Sequence, residues 1–259
     1  MNAINSLMIS VARHDVTLLP STAYEANFTA SRDSIGFAFD AQSGSHAIGS
    51  DRAEAFSRIP NSMAVTPLGC DVRSRSERGG EYLLVSGPTI RVAAGRYRTN
   101  IQNMGAICAA LQIRRWMLGK TQPNELAAEA SILQLSEAVM RPSRPAKAAR
   151  WMTSRRFRLI ADAIDDNLAA RLTVAGLAAE IGVSASFLSR AFIAYSGQTP
   201  YDYILSRRLQ RARHLLATTD LPPTDIALCV GFSSQSHMTA IMKSRLGLNP
   251  SRISRVQSM

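Results

Sequence analysis

One segment of this chain occurs twice. Leu177–Pro200 reads LAAEIGVSASFLSRAFIAYSGQTP, and Ile226–Pro250 reads IALCVGFSSQSHMTAIMKSRLGLNP. Ala178, Gly182 and Ser184 match Ala227, Gly231 and Ser233 at an offset of 49. Leu188, Gly197 and Pro200 match Met238, Gly247 and Pro250 at an offset of 50. One residue has therefore been added in the turn or first helical turn of the second copy. An internal repeat constrains the fold strongly, because both copies must form the same local unit.

Each copy reads as a short helix, a three-to-four-residue turn containing Gly, and a second helix. The small Ala lets the first helix approach the second. The Gly takes a positive φ without a Cβ clash. A Ser caps the second helix: Ser184 in the first copy, Ser233 or Ser234 in the second. Leu188 and Phe192, or Met238 and Met242, would lock that helix to a core. The face left over is small or polar: Ala185, Ser186, Ser189 and Arg190, then Gln235, Ser236, His237 and Thr239. Such a face fits a major groove.

The surrounding pattern is also helical, from about Ser154 to Met259. Ile160, Ile164 and Leu168 share a face. Thr173 is placed to cap Val174–Ile181. Thr199-Pro200 starts a longer helix whose stripe is Ile204, Leu205, Leu209, Ala212 and Leu216. Pro222-Pro223 breaks the chain, Thr224 is placed to cap Asp225–Val230, and Asn249-Pro250 starts a last short helix.

Charge follows the same division. Residues 1–140 hold 13 Lys/Arg against 12 Asp/Glu, whereas residues 141–259 hold 17 against 7. A neutral front and a basic back point to a polyanion for the back. Residues 141–150, RPSRPAKAAR, read as an exposed basic linker, giving domains 1–140, 141–153 (linker) and 154–259.

The front third reads as β. Ser34–Phe39, Met63–Thr66, Glu81–Ser86 and Thr89–Val92 are short apolar runs between Gly, Pro, Ser and Asn punctuation, as in a small barrel or sandwich. Two amphipathic helices follow. Asn103–Leu118 has the stripe Met104, Ile107, Cys108, Leu111 and Leu118; Glu125–Met140 has Leu126, Ala130, Leu133 and Met140. These stripes could cover the sheet or present a face to a second subunit.

The elements LAAEIGVSASFLSRAF, GQTPYDYI, RRLQRARHLLATTD, IALCVGFSSQSHM and GLNP together resemble the AraC/XylS family of bacterial transcription regulators, over about 100 residues from near Phe157 to near Arg255. The resemblance implies an α+β fold: a cupin-like β half-barrel with two helices, then two helix-turn-helix subdomains joined by a linker helix, Pro200–Ala217. It implies that the second helices enter successive major grooves of double-stranded promoter DNA. Base-edge contacts would fall to Ser186, Ser189 and Arg190 and to Gln235, Ser236 and His237. Ala185, Ser234, Thr239 and Lys243 complete the expected DNA-binding set. Arg207-Arg208 would support structure or meet phosphate. The resemblance further implies activation of transcription, RNA polymerase as a partner, a homodimer and a small-molecule effector. FAFDAQSGSHAIGSDR and GGEYLLVSG carry the looser likeness of the front domain. Where the family often has Arg and Phe, this chain has Ala240 and Met242; Met can fill a Phe site, but Ala240 cannot supply an arginine contact.

Other classes are disfavoured. No apolar run nears the roughly 18 residues of a membrane helix, and Met1–Val16 does not read as a secretory signal. Cys70, Cys108 and Cys229 are too few and too far apart for a disulfide framework or a thiolate zinc site, and read as reduced, small apolar side chains of a cytoplasmic protein. His14 and His46 are the front half's only histidines and lack the spacing of a metal-ligand set. No phosphate-binding or nucleophile motif occurs, so neither catalysis nor a cofactor is expected. A small-molecule-binding or scaffold protein with a weakly binding helical half is the alternative reading.

Overall fold

The sheet-forming half is assembled from short strands whose outward residues are mostly polar. A computed structural model describes residues 6–77, 79–92, 97–119, 123–141 and 147–254. The chain divides into two compact units, Met1–Arg144 and Pro145–Met259.

The first unit holds two antiparallel sheets. The larger runs in the order β1 (Leu7–Val11), β2 (His14–Leu19), β9 (Tyr82–Ser86), β4 (Ser34–Ala38), β7 (Ser62–Thr66) and β10 (Arg98–Ile101). The smaller runs β3 (Tyr24–Thr29), β8 (Asp71–Ser76), β5 (Gln42–Ile48) and β6 (Glu54–Arg58). Register aligns Val16, Val85, Ile35 and Val65 in one row of the larger sheet, and Leu18, Leu83, Phe37 and Met63 in the next. All eight are buried. Cross-strand apolar rows of this kind fix the register, since a one-residue slip would turn each row to the other face.

Helices α1 (Met104–Gly119) and α2 (Glu125–Met140) pack on each other and on β1. They lie on the face carrying those rows: Arg114 of α1 pairs with Glu81, and its guanidinium sits 4.7 Å from the centre of the Phe39 ring. The opposite face of β9, with Tyr82 and Leu84, is only half-buried and meets the smaller sheet, where Arg58 lies over the Tyr82 ring.

Several expectations change here. Thr89–Val92 is not a strand: Ile90 donates its N–H back to Gly87, closing a turn, and the Val92 N–H goes to the Asp33 carboxylate. Most of the stripe residues read from the sequence stay exposed, although Leu118 is buried and Ile107 half-buried. The buried residues of α1 are Ala106, Ala109, Ala110, Ile113, Met117 and Leu118, and those of α2 are Ala128, Ile132, Leu135, Ala138 and Val139. The buried face of each helix is rich in alanine, and the two helices pack on each other. Met104, Leu111, Leu126, Leu133 and Met140 stay exposed. The cysteines are free, but Cys108 and Cys229 are exposed rather than packed.

The second unit contains α3 (Lys147–Trp151), α4 (Ser154–Asp166), α5 (Val174–Glu180), α6 (Ala185–Ser196), α7 (Pro200–Thr218), α8 (Pro223–Cys229), α9 (Gln235–Leu246) and α10 (Pro250–Ser254). Of the expected linker, residues 142–146 lie outside the described residues, and α3 falls within the rest. It packs against α6, with the Trp151 ring edge-on to Phe187 at 5.0 Å and Met152 buried. An apolar Trp-Met pair after the basic run supplies the reason: it has a core to join. Phe157 of α4 meets Phe192, Tyr195 and Tyr203 at 5.1–5.6 Å, joining α4, α6 and α7. The α7 stripe Ile204, Leu205, Leu209, Ala212 and Leu216 is buried as expected.

Candidate nucleic-acid interface

The two repeats build the same device twice. Helix α5 ends with Val183 N–H bonded to Ala178 O (3.0 Å) and Gly182 N–H to Ala179 O (3.1 Å). Helix α8 ends with Phe232 N–H on Ala227 O (2.9 Å) and Gly231 N–H on Leu228 O (3.0 Å). This paired pattern is the Schellman closure, and it needs a left-handed residue. Gly182 has φ 69° and Gly231 has φ 89°.

The second helix of each repeat starts on a serine cap. Ser184 Oγ accepts from Phe187 N–H, and Ser234 Oγ accepts from His237 N–H. Ser234, not Ser233, is thus the counterpart of Ser184, at an offset of 50. The added residue lies in the turn between Gly231 and Ser234. Ser233 is released from capping and bonds His237 Nδ1 at 3.0 Å, while Phe232 meets the same ring edge-on. The ring is held from two sides.

The expected contact residues divide as follows. On α6, Ser186 and Arg190 are exposed and Ala185 and Ser189 half-buried; on α9, Gln235, Ser236 and Lys243 are exposed and His237 and Thr239 half-buried. Leu188, Ala191 and Phe192, and Met238 and Met242, are buried behind them. Met242 thus occupies the core, as a Phe would. No ion pair holds Arg190 among the described residues. Its counterpart at the same offset is the exposed Ala240, and Lys243 stands where α6 has Ile193.

Two expected residues are partly committed elsewhere. The Ser234 hydroxyl serves the cap, and Gln235 Oε1 accepts from Thr224 Oγ1 at 2.9 Å. Thr224 does not cap α8, as its position had suggested, because α8 begins at Pro223, two residues before the expected Asp225, and follows Pro222 with no side-chain cap. Sequence pattern gave no sign of the Thr224–Gln235 or Ser233–His237 pairing, since both span a turn whose register was ambiguous.

The arginine pair on α7 is structural. Arg207 takes Asp165 of α4 with two bonds, at 2.7 and 2.9 Å. Arg208 donates to Leu168 O and Ala170 O at 3.0 and 2.9 Å. Asp202 and Thr199 cap the start of α7, and Arg245 of α9 donates to Asp202 Oδ1 at 2.5 Å. Burial alone would raise the Asp202 carboxyl, but the Thr199 and Arg245 hydrogen bonds outweigh it and hold its pKa below the usual carboxylate range.

Among the described residues, no group of three or more His, Cys, Asp or Glu side chains is placed to hold a metal ion, and no single helix is long and apolar enough to cross a membrane. His14 is buried between Ala12 O and Thr89 Oγ1, each 2.6 Å away.

A family model described as a helix-turn-helix domain matches residues 177–255. The chain is 32% identical over 94 residues to the probable transcriptional regulator LumQ of Photobacterium leiognathi, covering 36% of this chain and 38% of that protein. It is 35% identical over 88 residues to the transcriptional activator NphR of a Rhodococcus species, covering 34% of this chain and 26% of that protein. It is 31% identical over 101 residues to the bifunctional transcriptional activator/DNA repair enzyme AdaA of Bacillus subtilis, covering 39% and 48%. The matches thus span less than half the length of each of these relatives. A solved transcriptional regulator from Chromobacterium violaceum, of the AraC-type DNA-binding domain-containing proteins, aligns at 30% identity over 39% of this chain and 89% of that one, with a TM-score of 0.37.

Proposed function

We propose that this chain, whose residues 177–255 belong to the AraC/XylS type of helix-turn-helix domain, is a sequence-specific regulator that binds promoter DNA and activates transcription. One observation carries the reading. Two Gly-turned helix pairs, built by the same hydrogen bonds, each bury one side of the second helix and leave a small, polar, cation-bearing side exposed. That is the form a recognition helix takes in a major groove. Phosphate contacts would come from the basic excess of residues 141–259.

In this reading α6 presents Ala185, Ser186, Ser189 and Arg190 to one groove. Helix α9 presents Gln235, Ser236, His237, Thr239 and Lys243 to the next, with Ser234 held back as a cap. Helix α7 sets the spacing between them. Residues 1–140 form a cupin-like regulatory half, residues 141–153 connect it, and the exposed apolar stripes of α1 and α2 pair two copies. The protein acts by binding DNA and RNA polymerase in the cytoplasm, without a catalytic step. The relatives with a repair function match over at most 48% of their own length, which leaves room for a catalytic part outside the match.

Footprinting of the full chain on its flanking genomic DNA tests the proposal. A protected block of about two helical turns per monomer is expected. Absence of protection and of any retarded complex at low salt overturns it.

A further inference from the structure

Ser233 has no counterpart in the first repeat. Val183 closes α5 onto Ala178 O, and Phe232 closes α8 onto Ala227 O. The caps that follow are Ser184 and Ser234. Val183 is joined directly to its cap, whereas Ser233 stands between Phe232 and Ser234. Ser233 is therefore the residue added to the second repeat.

The addition coincides with a change one helical turn on. Counted from the two caps, Phe187 of α6 and His237 of α9 hold the same place. Phe187 is committed to the protein: the Trp151 ring meets it edge-on at 5.0 Å and joins α3 to α6. His237 is committed on one side only. Its Nδ1 lies 3.0 Å from Ser233 Oγ, and its ring meets the buried Phe232 edge-on at 5.5 Å. Among the described residues no other side chain bonds the ring, so Nε2 has no partner there. The ring is half-buried beside the exposed Ser236, and Ala240, one turn further along α9, is too short to cover it.

The direction of the Ser233–His237 bond decides what Nε2 offers. The Ser233 hydroxyl proton has no other acceptor among the described residues, so it goes to Nδ1, and the proton of the neutral ring sits on Nε2. An imidazolium, which nearby phosphates favour, also carries a proton at Nε2, with Ser233 then accepting. In both forms Nε2 is a donor. In the major groove guanine offers two acceptors side by side, O6 and N7, whereas adenine sets its N6 donor beside N7 and cytosine presents its N4 donor.

We propose that Ser233 is a positioning residue: it fixes the His237 ring so that Nε2–H meets the O6/N7 edge of one guanine, a hydrogen-bonded base preference with no equivalent at Phe187 of the first repeat. This rests on reading α9 as a helix that enters a major groove. A ring held before binding has less freedom to lose on binding. The fold does not need the contact, since Ser233 is exposed and the cap of α9 belongs to Ser234.

Selection of the full chain on a random-sequence duplex library tests this, with the melting temperature of each variant as the control for folding. The wild type should select guanine at one position in the second half of its site, and His237→Ala should flatten that position. Ser233→Ala should lower the guanine preference there by about twofold to tenfold, the scale of ordering one side chain, and leave the other positions and the melting temperature unchanged. Ser233→Thr, which keeps the hydroxyl, should retain the preference. On a His237→Ala background, Ser233→Ala should change nothing further. Each of four results overturns the proposal: an unchanged preference in Ser233→Ala, an equal loss on all sequences, a loss that persists without His237, or selection of another base at that position. A wild type that binds no sequence selectively sinks the regulator reading and this proposal with it, whereas selective wild-type binding that Ser233→Ala leaves intact sinks the role of Ser233 alone.

Discussion

Arg245, near the end of α9, donates to Asp202 at the start of α7, the helix that joins the two repeats, at 2.5 Å. Asp202 also takes the Thr199 hydroxyl at 2.7 Å, so one carboxylate caps α7 and anchors α9. The geometry of the second repeat relative to α7 therefore depends on a pair that is more than a third exposed at Asp202 and about a third exposed at Arg245.

Asp202→Asn should lower stability by about 1 kcal/mol at neutral pH, a figure already discounted for solvent screening. The folded carboxyl has a depressed pKa. Its contribution is therefore full above the unfolded value of about 3.9 and is lost as pH falls through the lower folded value. Urea unfolding followed by helical circular dichroism should show variant and wild type converging in acid below that range. A gap that widens there would refute the assignment.

The two turn glycines should respond differently to alanine. Both have positive φ, which costs a Cβ-bearing residue about 1 kcal/mol. At Gly182 a Cβ meets nothing within 4 Å, whereas at Gly231 it would lie 2.1 Å from Leu168 O, beside the Arg208 guanidinium. Gly182→Ala is expected to cost about 1 kcal/mol and Gly231→Ala about 3 kcal/mol or more. Thermal melts of the two variants check this, and equal melting points would contradict the close approach at Gly231.

Arg190 is free of ion pairs among the described residues and exposed, so it is available to take guanine O6 and N7. Arg190→Ala should cost about 1–3 kcal/mol on the specific site and relax preference at one position. Ala240→Ser should do much less. Ser234→Ala should instead destabilise the fold by about 1 kcal/mol through loss of the cap while leaving base preference unchanged. Competition against a site library separates these. A uniform loss on all sequences for Arg190→Ala, with a salt slope smaller by about one, would make it a phosphate contact.

Leu126, Leu133 and Met140, at seven-residue spacing, form an exposed apolar row on α2, and Met104 and Leu111 are exposed on α1. If this surface joins two copies, Leu133→Lys should convert a sedimenting dimer into a monomer without loss of helical signal. A wild-type chain that stays monomeric at high concentration would remove the dimer from the reading.

Much of the helical unit was legible from sequence because its signals are local. Thr173, Ser184 and Thr199 cap the helices they precede, and Gly182, Gly197, Gly231 and Gly247 all take positive φ. Capping and glycine turns depend on a few neighbouring residues, so a repeat can display them directly. The β1–β2 hairpin was not legible, since Ala12 and Arg13 turn it at φ 50° and 62° where Gly or Asn is the usual mark.

The long-range choices belong to tertiary structure. Periodicity found two amphipathic helices after the sheets but left open whether their stripes cover the sheet or face outward, because both sides of α1 and α2 carry apolar residues; in the structure a face that includes Ala109, Ala110 and Ala128 is buried and most of the stripe residues stay exposed. Sequence placed an extra residue in the turn or first helical turn of the second copy without deciding between Ser233 and Ser234 as the cap, and the hydrogen bond from His237 N–H to Ser234 decided it. Arg58 lies outside every strand read from the sequence and carries no local signal. Only the meeting of two sheets encloses it among aromatic rings, because enclosure is set by residues tens of positions away.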